Sequence, residues 1–219
     1  MHRLRGLVAP LAGAAVLALA APVVVAAPVV VAAGPGGTVA LSFDGKVSEA
    51  GRFFTFYGHV TGVRGWSDAT VFAGSRNPTK ARLTFVATTE LVVNGRSTVG
   101  LRRFSVRSRG PLRFFLQTEP GTNAGDIVSF TSDMPVALAD AQLKALVVPT
   151  ARTGPKVRAI LTGTLRLQQS KPFSISGVQY QLGARGMRVR VAANGNGVVK
   201  DRFLPAAELN VAGRATVSS

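Results

Sequence analysis

The chain has two histidines, His2 and His59, and no cysteine. A Ser-His-Asp nucleophile would have to be built on His59, because His2 sits at the very start of the chain. No Gly-x-Ser-x-Gly elbow exists, and "GRSTVG" at 95–100 has the wrong spacing. One usable histidine and no thiol leave the usual His/Cys zinc set unavailable within one chain. His59 alternates with Phe53, Thr55 and Tyr57, opposite Phe54 and Phe56, and reads as a partly exposed surface histidine beside Tyr57. Asp126, Asp133 and Asp140 recur at seven-residue intervals, with Glu119 upstream and no basic residue between Phe114 and Leu143. Calcium loops need oxygens at dense, alternating positions around a glycine turn. These acids are therefore expected to cap turns and offset nearby arginines. "GPGG" (34–37) and "NGNG" (194–197) lack the lysine and the strand-to-helix setting of a phosphate loop, and read as linker and turn. No metal and no cofactor are expected.

Cationic side chains carry the strongest signal. The sequence holds 26 basic against 10 acidic residues, formal net charge +16, and its cations are mostly arginine. Arg96, Arg102, Arg103, Arg107, Arg109 and Arg113 fall in one stretch without an acid. A hairpin of 101–108 and 112–118 across "SRGP" would present Arg103 and Arg107 on one face, and Arg113 with an exposed Phe115 on the outward parity of its second strand. Arg188 and Arg190 add an outward group. Guanidinium forks bind phosphate, sulfate and carboxylate in two-pronged fashion, and an adjacent ring can stack on a base or sugar. The candidate anion-binding residues are therefore Arg102, Arg103, Arg107, Arg109, Arg113, Phe115, Arg188 and Arg190.

The elements that would position these residues are strands. Val39, Leu41, Phe43, Gly45 and Val47 alternate with polar neighbours, and so do Phe54, Phe56, Gly58 and Val60. Alternation continues through Ala81–Leu91, Val157–Leu167 and Leu209–Val217, with shorter candidates at 126–131, 173–182 and 187–193. Period two over such lengths predicts half-buried antiparallel strands. Gly45, Gly58, Gly163 and Gly213 stand on the apolar face in mid-strand, where a missing side chain serves a sheet that must coil and close. At Gly177 the parity of the apolar positions switches, which predicts a bulge or sharp bend. The expectation is an all-β fold: a single antiparallel β-barrel or strongly coiled sheet, with a β-sandwich as the alternative. At most one short helix is expected, near 133–146, where Val136, Ala139, Leu143 and Leu146 share a helical face behind Asp133 and Pro135, with a long loop leading into a strand at 143–149 as the alternative. The stretch 62–79 reads as a loop with a short strand at 69–73.

Residues 1–33 read as a secretory signal peptide. Arg3 and Arg5 precede an uncharged Ala/Leu/Val run, and small residues at Val31-Ala32-Ala33 offer a cleavage point. Pro10, Pro22 and Pro28 break any spanning helix, so no transmembrane span is expected once the leader is gone. Residues 34–219 then form one β domain.

Three functions fit this outline. The first is a non-catalytic exported protein that binds an anionic polymer or surface of the cell envelope through its arginine-rich hairpins. The second is a barrel that carries a small apolar ligand, lined by Phe43, Phe56, Phe85 and Leu161. The third is a cyclase- or isomerase-type enzyme working inside the barrel through Tyr57, His59, Tyr180 or an inward acid.

Overall fold

The computed structural model describes residues 39–50, 52–96, 104–131, 135–150, 155–199 and 207–218. The long alternating runs become strands: β1 (Val39–Ala50), β2 (Phe53–Val63), β3 (Leu83–Arg96), β4 (Phe104–Leu116), β5 (Pro135–Pro149), β6 (Lys156–Ser170), β7 (Phe173–Ile175), β8 (Val178–Tyr180), β9 (Arg188–Val199) and β10 (Ala207–Val217). Eight of them close an antiparallel barrel in the order β1-β10-β9-β6-β5-β4-β3-β2. This is an up-and-down meander whose first and last strands pair, Leu41 opposite Ala215 and Val47 opposite Leu209. The β7–β8 hairpin is inserted between β6 and β9.

The pleat sorts the side chains. On β6, Val157, Ala159, Leu161, Leu165 and Leu167 are buried, while Lys156, Arg158, Thr162, Thr164 and Arg166 are exposed. Inside, Phe43, Phe56 and Phe85 meet edge-to-face at centroid distances of 5.7, 5.8 and 4.7 Å. Such pairs add roughly 0.5–1.5 kcal/mol each beyond the area they bury. Cavities lined by the interior residues hold only 20 to 30 Å³, about the room of one water. An eight-stranded barrel is just wide enough for side chains to fill, and here they do. Outward positions carry Arg107, Arg109, Lys144, Arg166, Arg190 and Arg214, all exposed.

Glycine decides how tightly the wall can curl. Gly45 and Gly58 stand directly opposite each other on β1 and β2. A Cβ on Gly58 would lie 2.5 Å from the Gly45 Cα and press on the Asp44 carbonyl. A Cβ on Gly213 would lie 2.5 Å from that of Ala193, and one on Gly163 2.8 Å from the Leu143 Cδ2.

Several local expectations are corrected. Of the stretch expected to be helical, residues 135–146 belong to β5. Ala139, Ala141, Leu143, Ala145 and Val147 are buried and alternate with exposed Asp140, Gln142 and Lys144. The same letters carry a period of two through alanines that a helical reading counts as neutral, and the open edges of β4 and β6 select it. "SRGP" does not turn: Gly110 and Pro111 lie inside one continuous β4. "NGNG" lies inside β9, where Gly195 and Gly197 let β10 approach closely. The only α-helix among the described residues is α1 (Asp68–Val71), capped by Ser67, in the segment expected to hold a short strand. Residues 127–130 form a 3-10 turn in place of a strand. At Gly177 the parity switch is a reversal: Ser176 (φ 50°) and Gly177 (φ 82°) make the two-residue turn of the β7–β8 hairpin, a conformation that hairpin turns favour.

Gly58→Ala is expected to lower unfolding free energy by about 3 kcal/mol, the upper part of the overpacking range. Gly121→Ala, where an added Cβ meets nothing within 4 Å, should stay within about 0.5 kcal/mol. Urea denaturation of the two variants checks this, and equal midpoints would refute the close-approach account.

Candidate functional site

Cross-strand register assembles the cations. Arg107 on β4 stands opposite Lys144 on β5, which faces Thr162 on β6. Thr162 faces Ala192 on β9, Ala192 faces Arg214 on β10, and Arg214 faces Ser42 on β1. One register step along, a second row reads Arg109, Gln142, Thr164, Arg190 and Thr216. Both rows lie in a groove of about 1370 Å³ on the outside of the barrel, with Gly163 and Gly213 among its lining. The groove crosses the long strands β4, β5 and β6, of 13 to 15 residues.

The groove's electrostatics are one-sided. Arg107, Arg109, Lys144, Arg190 and Arg214 line it, and no carboxylate does. Glu90 stands opposite Arg109 on β3, but its carboxylate is paired with Arg52. Asp140 lies outside the groove, opposite Arg166, and accepts a hydrogen bond from Gln168. From Arg107 to Arg214 the row crosses four strand spacings, roughly 19 Å at about 4.8 Å each.

Of the predicted arginines, Arg107, Arg109 and Arg190 come together here. Arg113 and Arg188 are exposed on the same wall but outside the groove, Arg188 opposite Arg166. Arg102 and Arg103 lie outside the described residues. Sequence reasoning missed Lys144 and Arg214. Lys144 was hidden by the helical reading of 133–146, and Arg214 is a single outward cation on a strand otherwise read for its apolar face.

Phe115 has the expected outward parity but is buried, 6 % exposed. The β4–β5 connection folds back over this part of the wall. Thr84, opposite Phe115 on β3, donates its hydroxyl to the Phe130 carbonyl at 2.6 Å and accepts from the Gln117 amide at 2.8 Å. Asp126 caps the turn beneath, accepting from the Val128 N–H at 2.9 Å. Asp133 lies outside the described residues.

His59 is held by the same connection and is buried, not at the surface: 7 % exposed, its ring 4.9 Å from Phe130. Nδ1 lies 3.2 Å from the Asp44 Oδ1 and Nε2 2.5 Å from the Thr122 Oγ1. A carboxylate only accepts, so Nδ1 carries a proton toward Asp44, and Nε2 is hydrogen-bonded to the Thr122 hydroxyl. Hydroxyl, imidazole and carboxylate thus follow the connectivity of a nucleophilic triad. Thr122 is itself buried, however, and neither the outer groove nor the interior cavities touch the three residues. The arrangement fastens a loop to the wall.

Tyr57 donates to the Ala124 carbonyl at 3.3 Å and packs on Phe130 at 5.0 Å. Its phenol titrates above the ordinary 10.0, chiefly because burial disfavours the phenolate and secondly because the Glu208 carboxylate repels it. Tyr57 and His59 therefore stand on the outer wall, and Tyr180 stacks on Trp66 at 4.6 Å in the β7–β8 hairpin. These three do not converge inside the barrel. Phe43, Phe56, Phe85 and Leu161 do face the interior, where they pack on one another and on their neighbours as core.

No protein-family model matches the chain, and no curated protein or solved structure matches it either.

Thr122→Val should lower stability by about 1–3 kcal/mol, because it leaves the buried imidazole nitrogen without its hydrogen-bond partner. Measured by urea denaturation, no loss would show that the clamp holds nothing. A phenol titrating above 10 in the folded state keeps its proton after the unfolded chain has lost one. Stability from Tyr57 is thus complete below pH 10 and declines as pH rises from there through the folded value. Tyr57→Phe should flatten that alkaline decline in denaturant midpoints. An unchanged profile would contradict the assignment.

Proposed function

We propose that this is an exported, non-catalytic barrel that binds an extended anionic polymer of the cell envelope along its outer groove. The observation that carries the reading is the groove itself: five cations from four strands, no lining carboxylate, and a length suited to a chain laid across the strands. Neighbouring like charges on β4 and β5, Arg107 against Lys144, work against folding and are relieved when an anion lies between them. Binding proceeds by charge pairing and counterion release, so affinity falls steeply with added salt. Export rests on the character of residues 1–33, with cleavage after Ala33. The filled interior removes support from an apolar-ligand carrier, and the placement of Tyr57, His59 and Tyr180 removes it from an enzyme working inside the barrel.

Net charge alone would hold such a protein on any anionic matrix, so the test compares two variants of equal charge. Arg107, Arg109, Arg190 and Arg214 are changed to Gln in one. In the other, Arg64, Lys80, Lys171 and Arg185, exposed cations outside the groove, are changed to Gln. The groove variant is expected to lose at least about tenfold in affinity for dextran sulfate, and up to about four units of its salt slope, one per cation removed. The control variant should lose far less. Equal losses would reduce the binding to bulk charge and sink the proposal.

A further inference from the structure

Resting on that reading, we infer that the groove's polymer is an acidic polysaccharide, a chain whose repeats carry hydroxyls beside a carboxylate or sulfate. The cations do not form one continuous strip. Arg107, Arg109 and Lys144 stand on β4 and β5, and Arg190 and Arg214 on β9 and β10. On β6, between them, the groove lining is neutral and polar. Thr162 and Thr164 project from β6, with Gln142 and Asn194 beside them on β5 and β9. Both threonines are exposed, and their hydroxyls have no partner among the described residues. A ligand that only supplies charge leaves this floor unused. One with hydroxyls between its charges meets donors and acceptors where its uncharged portion lies.

The groove also lacks what a nucleic acid would use. Single strands are held by bases stacked on exposed aromatic faces. Phe43 is the single aromatic residue lining the groove, and its ring is buried against Phe56 and Phe85. Trp66, Phe173 and Tyr180 pack on one another at the hairpin, and Tyr57 packs on Phe130. A flat anionic bilayer does not enter a recess whose cations come from four strands of a closed barrel, whereas a flexible glycan does.

The double variant Thr162→Val/Thr164→Val tests this with every cation retained. Valine matches threonine in shape and suits a strand, so folding should be kept, and Thr162→Ser/Thr164→Ser restores the hydroxyls. Alginate supplies a polyuronate, dextran sulfate a sulfated glycan, polyacrylate a carboxylate chain without hydroxyls, and oligo(dT) a nucleic acid. The valine variant is expected to bind alginate or dextran sulfate about fivefold more weakly, the scale of one net hydrogen bond. Its salt slope should not change, its affinity for polyacrylate and oligo(dT) should stay the same, and the serine variant should recover. Which glycan responds identifies carboxylate or sulfate as the partner. Equal response to glycan and polyacrylate, or no response to either, overturns the inference while leaving charge-driven binding intact. A loss confined to oligo(dT) overturns it in favour of nucleic acid. Failure of the unaltered protein to bind any of the four polymers overturns this inference and the reading beneath it together.

Discussion

Two backbones pressed together without side chains between them set the geometry of this protein. Where Gly45 faces Gly58, β1 and β2 approach to a distance that a single methyl group would forbid. Gly163 against Leu143 repeats the device between β6 and β5, and Gly213 against Ala193 between β10 and β9. Glycine in a strand interior carries an entropic penalty and packs nothing, so its recurrence in register implies a geometric return. That return is curvature. The sheet coils far enough to close with eight strands, and the interior shrinks to what phenylalanine and leucine can fill.

Inside and outside are consequences of the same curl. The interior leaves cavities of only 20 to 30 Å³, and the outer wall carries the recess of about 1370 Å³. Gly163 and Gly213, which permit the close approach, also line that recess. Cations spread over four strands are thereby brought around one hollow. The β4–β5 connection, by contrast, turns part of the wall into a second, smaller interior. His59, Thr84, Phe115 and Gln117 are buried there although the barrel's pleat points them outward.

Much of this was legible in the residues because period-two alternation is a local signal with a strong physical cause. Long alternating runs such as Val157–Leu167 announced their strands, and the inward glycines announced closure. What failed was everything decided by a neighbour. Ala139, Ala141 and Ala145 fit a helix or a strand equally, and only the edges waiting on β4 and β6 settle the matter. "SRGP" and "NGNG" have turn composition, yet both continue as strand because the adjoining backbone requires room at Gly110, Gly195 and Gly197. For the site, parity identified Arg107, Arg109 and Arg190 as outward but could not say which strands would be adjacent. The partnership of Lys144 with Arg107, or of Arg214 with the row across β9, exists only once register is fixed. Burial of Phe115 and His59 depends on a loop whose path leaves no periodic trace.

The seam between β1 and β10 has a kinetic meaning. Each other wall contact joins segments nearer in the chain, whereas Val39 meets Thr216 only after nearly the whole described sequence has been ordered between them. Contacts of such separation are the slow ones, since loop-closure entropy must be overcome before they return any stabilisation. Until β10 arrives, β1 and β9 each expose an unpaired edge that other chains can extend. A polypeptide with this seam stays open while its last strand is still being delivered. It becomes resistant to strand-by-strand fraying only in the moment of closure.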